Sequence, residues 1–187
     1  MGAMKSWCRG LFGVAFVAGS LVSAAFAGGQ PGGDDRRGPD PHSSVELVSE
    51  LDAAVPGETV MIGLPFEIDR GWHIYLDSQN DTGLPPTVTW SASIDGDAAD
   101  GVSFGSIVWP AGKRFTQPGE ILDHGYEDSV LLMVPVTVPA GVRAGSELEV
   151  SGSLEWLACD AAQCVPGFAD VSLTLPIRER AGRPCRH

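Results

Sequence analysis

From Val45 onward the chain alternates short apolar runs with turns rich in glycine and proline. Residues 59–68 are rich in β-branched and aromatic side chains, and residues 72–76 alternate weakly between Arg70-Gly71 and Asp77-Ser78. Residues 87–90 follow the turn-forming Asn80-Asp81-Thr82-Gly83 and Pro85-Pro86, and residues 104–109 form a short candidate. Residues 130–138 carry the strongest strand signal. Residues 148–157 set Leu148, Val150, Gly152, Leu154 and Trp156 on one face, and residues 171–175 repeat the period of two. No stretch of about 11 residues or more shows the periodicity of an amphipathic helix. Glycine and proline interrupt the chain about every 8 to 12 residues, the spacing of a β-sandwich. The pattern predicts an all-β fold of immunoglobulin-like sandwich type over residues 44–177, with one two-layer core.

The ends of the chain read differently. Lys5 and Arg9 precede an apolar run from residue 11 to 26, and Ala25-Phe26-Ala27 is a small-x-small cleavage pattern. Residues 1–27 are therefore expected to be a secretory signal peptide. The run falls short of the about 20 residues that a spanning helix needs, and glycines and serines dilute it. Cys8 precedes the run, so it is not a lipid-attachment cysteine. Residues 28–43, made largely of Gly, Pro, Asp and Arg, are expected to be a disordered linker. Residues 178–187 are expected to be a flexible polar tail. The expected location is the periplasm, the cell envelope or the exterior, with no stable membrane insertion after cleavage.

Charge narrows the partners. Asp and Glu number 24 against 12 Lys and Arg, a net charge of −12, which argues against nucleic acid and against an anionic membrane surface. The carboxylates are scattered rather than run together, as on a solubilising surface.

Cleavage would leave three cysteines, Cys159, Cys164 and Cys185, in an oxidising compartment. Cys185 lies in the tail, as a free thiol or an intermolecular bridge. Cys159 and Cys164, with four residues between them, fall on the two arms of an expected hairpin, whose opposed residues lie about 4.5 to 5.5 Å apart. A six-residue closed loop removes only about 2.2 kcal/mol of unfolded-chain entropy, less than a bridge between distant strands. As the one close pair in a domain large enough to bury its own core, it is better suited to redox exchange than to stapling. Cys159, Cys164, His73 and His124 offer thiolate and imidazole donors for zinc or copper. The histidines are distant in sequence and no second Cys or His pair supports them, so no metal and no cofactor is expected.

Several pieces in order resemble the N-terminal periplasmic domain of DsbD-type thiol:disulfide interchange proteins and the related copper-sensitivity suppressor proteins. They are Gly71-Trp72-His73-Ile74-Tyr75, Asp81-Thr82-Gly83-Leu84-Pro85, Ile107-Val108-Trp109-Pro110, Arg114-Phe115, Gly125-Tyr126-Glu127-Asp128, residues 131–138, and Trp156-Leu157-Ala158-Cys159 through Cys164-Val165-Pro166. The resemblance covers about residues 45 to 177. It implies an immunoglobulin-like sandwich whose cysteine pair shuttles electrons between a thioredoxin-like donor and periplasmic acceptors, beneath a short cap loop that shields the sulfurs until a partner docks. By position it implies Phe115 as the shielding aromatic, with His73, Tyr75 and Tyr126 around the pair and Cys164 as the exposed, attacking sulfur. DsbD proteins continue into a multi-span membrane domain and a thioredoxin-like domain. This chain stops at His187, so the thioredoxin-like protein and the membrane electron-transfer protein are expected to be separate polypeptides. The competing expectation is a non-catalytic envelope module, for protein docking or copper handling, with a structural disulfide.

Overall fold

The computed structural model describes residues 41–117, 119–180 and 182–185. The expected signal peptide, and the expected linker as far as residue 40, lie outside the described residues.

Among the described residues the chain forms twelve strands and no helix. They are β1 (Ser43–Val45), β2 (Val48–Ser49), β3 (Thr59–Ile68), β4 (His73–Tyr75), β5 (Thr87–Ile94) and β6 (Asp97–Ala98), followed by β7 (Ser103–Phe104), β8 (Lys113–Gln117), β9 (Ile121–Tyr126), β10 (Ser129–Thr137), β11 (Glu147–Cys159) and β12 (Cys164–Pro176). One sheet has five strands in the order β1-β3-β10-β7, with β2 also on β3. The other has seven in the order β6-β5-β11-β4-β9-β8, with β12 on the free side of β11. Two antiparallel sheets with their apolar faces together make the immunoglobulin-like sandwich that the pattern predicts.

The period of two builds the core directly. On β10 the side chains of Val130, Leu132, Val134 and Val136 are buried and alternate with partly exposed ones. On β11 Leu148, Val150, Leu154, Trp156 and Ala158 face the same interior. Each such Val or Leu contributes about 1.5 to 3 kcal/mol relative to an exposed position. Phe66 of the first sheet meets Trp156 of the second edge to face at 5.3 Å, and the Trp156 indole N–H donates to Ser43 Oγ at 2.7 Å. Trp72 joins this core, whereas Trp90 and Trp109 pack against it partly exposed.

Two features of the frame bear on the cysteines. Strand β11 changes partner along its length: Leu148 to Glu155 pair with β5, but Ala158 and Cys159 pair with Ile74 and His73 of β4. The end of the β11–β12 hairpin is thereby brought beside β4, β9 and β8. The second feature concerns the segment expected to be a free tail. Leu51 bridges Pro184, the Asp52 N–H donates to the Arg183 carbonyl at 3.0 Å, and the Cys185 N–H donates to the Glu50 carbonyl at 3.2 Å. Residues 182–185 therefore run along residues 50–53, where Cys185 is buried and is not a free thiol.

Candidate functional site

The long hairpin of β11 and β12 ends in a turn organised by Asp160. Its Oδ1 accepts the N–H groups of Ala162 at 2.7 Å and Gln163 at 2.8 Å, and its own N–H donates to the Gln163 carbonyl at 2.9 Å. The two side-chain bonds hold the carboxyl below its ordinary pKa. Because residues 160 and 163 are joined by a backbone bond, the next pair, Cys159 and Cys164, falls at a position without one, where opposed Cα atoms approach most closely. Their Cα atoms lie 4.0 Å apart and the sulfurs form a disulfide.

Alternation on β11 directs even-numbered residues to the core and odd-numbered ones outward, so both cysteines lie on the outer face of the sheet. Their environments nevertheless differ. Cys159 is 1% exposed, while Cys164, on the outermost strand, is exposed.

A small second cluster outside the main core starts from the strand beside Cys159. His73 stands opposite it in register on β4, and Tyr75 follows on the same face. The β9 residue Gly125 pairs with Tyr75, which places Asp123 and its β8 partner Phe115 on that face too. The His73 ring stacks on Phe115 at 4.7 Å with an interplanar angle of 23°, and meets Tyr75 edge to face at 5.2 Å. Phe115 is half-buried, His73 is buried and Tyr75 is fully enclosed.

Burial pushes the His73 imidazole below its ordinary pKa, opposed by the charges of Asp123, Glu127 and Asp160, so the ring is neutral near pH 7. Its Nε2 is buried and makes no hydrogen bond. Burial likewise raises the Tyr75 phenol, offset in part by the neighbouring Thr82 hydroxyl. The Thr82 hydroxyl donates to Asp123 Oδ2, and the buried Tyr75 hydroxyl makes no hydrogen bond of regular geometry.

The loop from residue 77 to 86 completes the cover by lying along β9 as a strand would. The Asp81 N–H donates to the Leu122 carbonyl, the Leu122 N–H to Asp81 Oδ2, and the His124 N–H to Asn80 Oδ1. Asp123, wholly buried, accepts both the N–H and the hydroxyl of Thr82. Gly83 then lies directly on the Tyr75 ring.

The structure thus sets His73 opposite Cys159, packs Tyr75 and Phe115 on the His73 ring, and leaves Cys164 exposed. Tyr126, expected among the shielding residues, is not with them. Its pairing with Ile74 turns it to the core face, where its hydroxyl donates to the Pro110 carbonyl at 2.7 Å and burial raises its pKa to about 12. His124, one residue from Asp123, likewise alternates away from the cysteine face, so the four side chains weighed as metal donors do not converge. Among the described residues no cluster of three or more His, Cys, Asp or Glu is placed to hold a metal. The cap region is a two-stranded hairpin, β8 with β9, rather than an irregular loop. Asp123, Thr82 and Gly83 escaped sequence reasoning as parts of the cover. Only the pairing of β9 with a distant loop reveals them.

A protein-family model described as the N-terminal part of thiol:disulfide interchange protein DsbD matches residues 44–176. Among solved structures, the N-terminal periplasmic domain of ScsB from Proteus mirabilis is similar at 22% identity and a TM-score of 0.50, over 76% of this chain and 49% of that one. The chain thus spans about half the length of that structure. The N-terminal domain of DsbD from Neisseria meningitidis, in its reduced form, is similar at 13% identity and a TM-score of 0.41, over 80% of this chain and 98% of that one. No curated protein matches the chain.

Proposed function

The chain belongs to the family of DsbD N-terminal domains, and from that premise we propose that Cys159 and Cys164 relay electrons from a thioredoxin-like or membrane-bound reductant to acceptors in the cell envelope. The observation that carries this reading is the unequal exposure of the two bonded sulfurs' residues, one enclosed and one open to a partner. Residues 1–27 would direct export and be removed, and the segment between them and β1 would tether the domain.

In the loading step a partner thiolate attacks Cys164 Sγ. The Cys159–Cys164 bond breaks, and Cys159 leaves as a thiolate that takes up a proton. The partner's second thiol, once deprotonated, then displaces Cys164 from the mixed disulfide, leaving the partner oxidised and both cysteines of this domain reduced. In the unloading step the Cys164 thiolate attacks an oxidised acceptor and forms a new mixed disulfide. Cys159 then gives up its proton, which is taken up by the acceptor thiolate already released, and the Cys159 thiolate attacks Cys164 Sγ. The intramolecular bond re-forms, and the acceptor leaves with two more electrons. Phe115 and Tyr75 hold the His73 ring between them and keep stray oxidants from Cys159. Tyr126 acts only by fixing β9 in the core.

The test is the reduction potential of the pair, equilibrated in defined dithiol buffers and read by mass after alkylation. A potential of roughly −120 to −270 mV is expected, the range of exchange proteins. A value below about −300 mV would mark a structural bond and give the function to a non-catalytic envelope module, for protein docking or copper handling.

A further inference from the structure

The outward face of the seven-stranded sheet changes character along its length. Away from the cysteines it carries Thr89 and Ser91 on β5, Ser153 on β11, and Asp170, Ser172 and Thr174 on β12. These are ordinary residues for a solvated face of an antiparallel sheet. Toward Cys164 the same face becomes apolar. Alternation on β12 puts Pro166 and Phe168 outward with Cys164, and register sets Leu157 beside Pro166. Phe168 is 56% exposed. Leu84, 67% exposed, follows Gly83, which lies on the Tyr75 ring. Of the three exposed large apolar side chains among the described residues, two therefore belong to this end of the sheet; the third, Val108, bridges Met133 in the other sheet.

The position of the stripe identifies its occupant. Any protein that exchanges with Cys164 must bring its own sulfur into bonding contact there, and so must lie over the surface around it. At about 3.4 Å per residue, Pro166 and Phe168 stand about 7 and 14 Å from Cys164 along the strand. An interface of standard size covers about 800 Å² on each partner, a disc of about 16 Å radius, which takes in both. A small dithiol needs no such contact.

We propose that Pro166 and Phe168, with Leu157 beside them and Leu84 on the loop over Tyr75, form the docking surface for a thioredoxin-fold redox partner whose reactive sulfur lies in an apolar rim. The Glu155 carboxylate, opposite Phe168, and Asp160 border the stripe and favour lysine or arginine at the partner's edge. This inference rests on the exchange reading and adds to it the surface by which the partner is chosen.

The experiment measures reduction of the full chain's Cys159–Cys164 bond by two reductants, thioredoxin held reduced and dithiothreitol, in the parent and in Phe168→Ser, Phe168→Leu and Thr174→Ala. Truncation of the exposed Phe168 ring, an apolar contact toward the edge of the interface, should lower the thioredoxin rate constant several-fold in Phe168→Ser. Phe168→Leu and Thr174→Ala should keep the parent rate, and dithiothreitol should reduce all four proteins equally. Equal thioredoxin rates in the parent and Phe168→Ser would overturn the docking surface. So would a loss in Phe168→Ser shared by dithiothreitol, which would mark a disturbed fold or sulfur. A parent reduced by dithiothreitol but not by thioredoxin would overturn the partner class. A parent that resists both would instead defeat the exchange reading beneath it.

Discussion

Adding a single methyl group at Gly83 tests whether the loop over Tyr75 is a packed cover. A Cβ built there would lie 2.0, 2.2 and 2.4 Å from three carbons of the Tyr75 ring. Carbon atoms rest about 3.5 to 4.0 Å apart, so ring and loop must separate by about 1.5 Å. Tyr75 is fully enclosed and has the His73 ring against it, which leaves the loop to move. The residue before Gly83 is Thr82, whose two hydrogen bonds to the buried Asp123 tie the loop down. Loss of one bond to a charged acceptor costs about 1.5 to 3 kcal/mol. The backbone at Gly83, with φ of +68°, adds about 1 kcal/mol for any residue with a Cβ. Gly83→Ala should therefore lose about 3 kcal/mol. Gly71→Ala supplies the control, because Gly71 has φ of +88° and nothing within 4 Å of an added Cβ. It should lose only the backbone part, about 1 kcal/mol. Urea unfolding followed by tryptophan fluorescence measures both, and thermal midpoints should fall by about 10 °C and about 3 °C. In Gly83→Ala the reduced Cys159 thiol should also be alkylated faster. Equal losses in the two variants, with unchanged alkylation, would refute a cover packed on Tyr75.

Two further predictions concern charge at the site. The His73 pKa is lowered on folding, so between its folded value and the unfolded 6.5 the unfolded chain binds more protons. His73 therefore leaves stability intact above 6.5 and weakens the fold as the pH falls through 6.5 toward the folded value. The charges of Asp123, Glu127 and Asp160 face the ring and limit the effect. His73→Phe should flatten this slope in unfolding curves taken from about pH 8 to about pH 5, and an unchanged slope would show that the ring titrates freely. Asp160→Ala should slow closure of the reduced pair to the disulfide several-fold, because the turn loses both side-chain bonds that set residues 159 and 164 opposite each other. Asp160→Asn, which retains an acceptor oxygen, should close at close to the parent rate. Equal closure in all three, timed by quenched alkylation, would remove the turn from the mechanism.

Strands that face the core are legible in the sequence because burial on one face writes a period of two. Residues 59–68 form β3 as expected, and residues 130–138 differ from β10 by one position at each end. Residues 148–157 fall inside β11, and residues 171–175 are the C-terminal part of the longer β12. The missing part of β12, Cys164 to Asp170, has an outward face of Pro166 and Phe168, so its alternation of apolar and polar residues disappears at the end that carries the chemistry. The β8–β9 hairpin is not read as strands because Lys113 to Gln117 has no apolar face, and its role as a cap comes only from the family resemblance. Cys159 and Cys164 are legible from spacing and from resemblance to a family. The polar part of the cover is not. An aspartate in a strand and a Thr-Gly in a turn become a buried lock only when residues 41 positions apart meet.

The β11–β12 hairpin has a consequence for what a change of redox state does to the rest of the molecule. Thirteen residue pairs zip the two arms together, and Cys159 with Cys164 is the last of them. Cutting the sulfur bond removes a link from a ladder already closed by the neighbouring turn and by the twelve pairs behind it, so the arms have little reason to part. The oxidised and reduced forms should then share one backbone. The domain would carry two electrons without carrying news of them, and its oxidation state would be legible only to a molecule that touches the sulfurs.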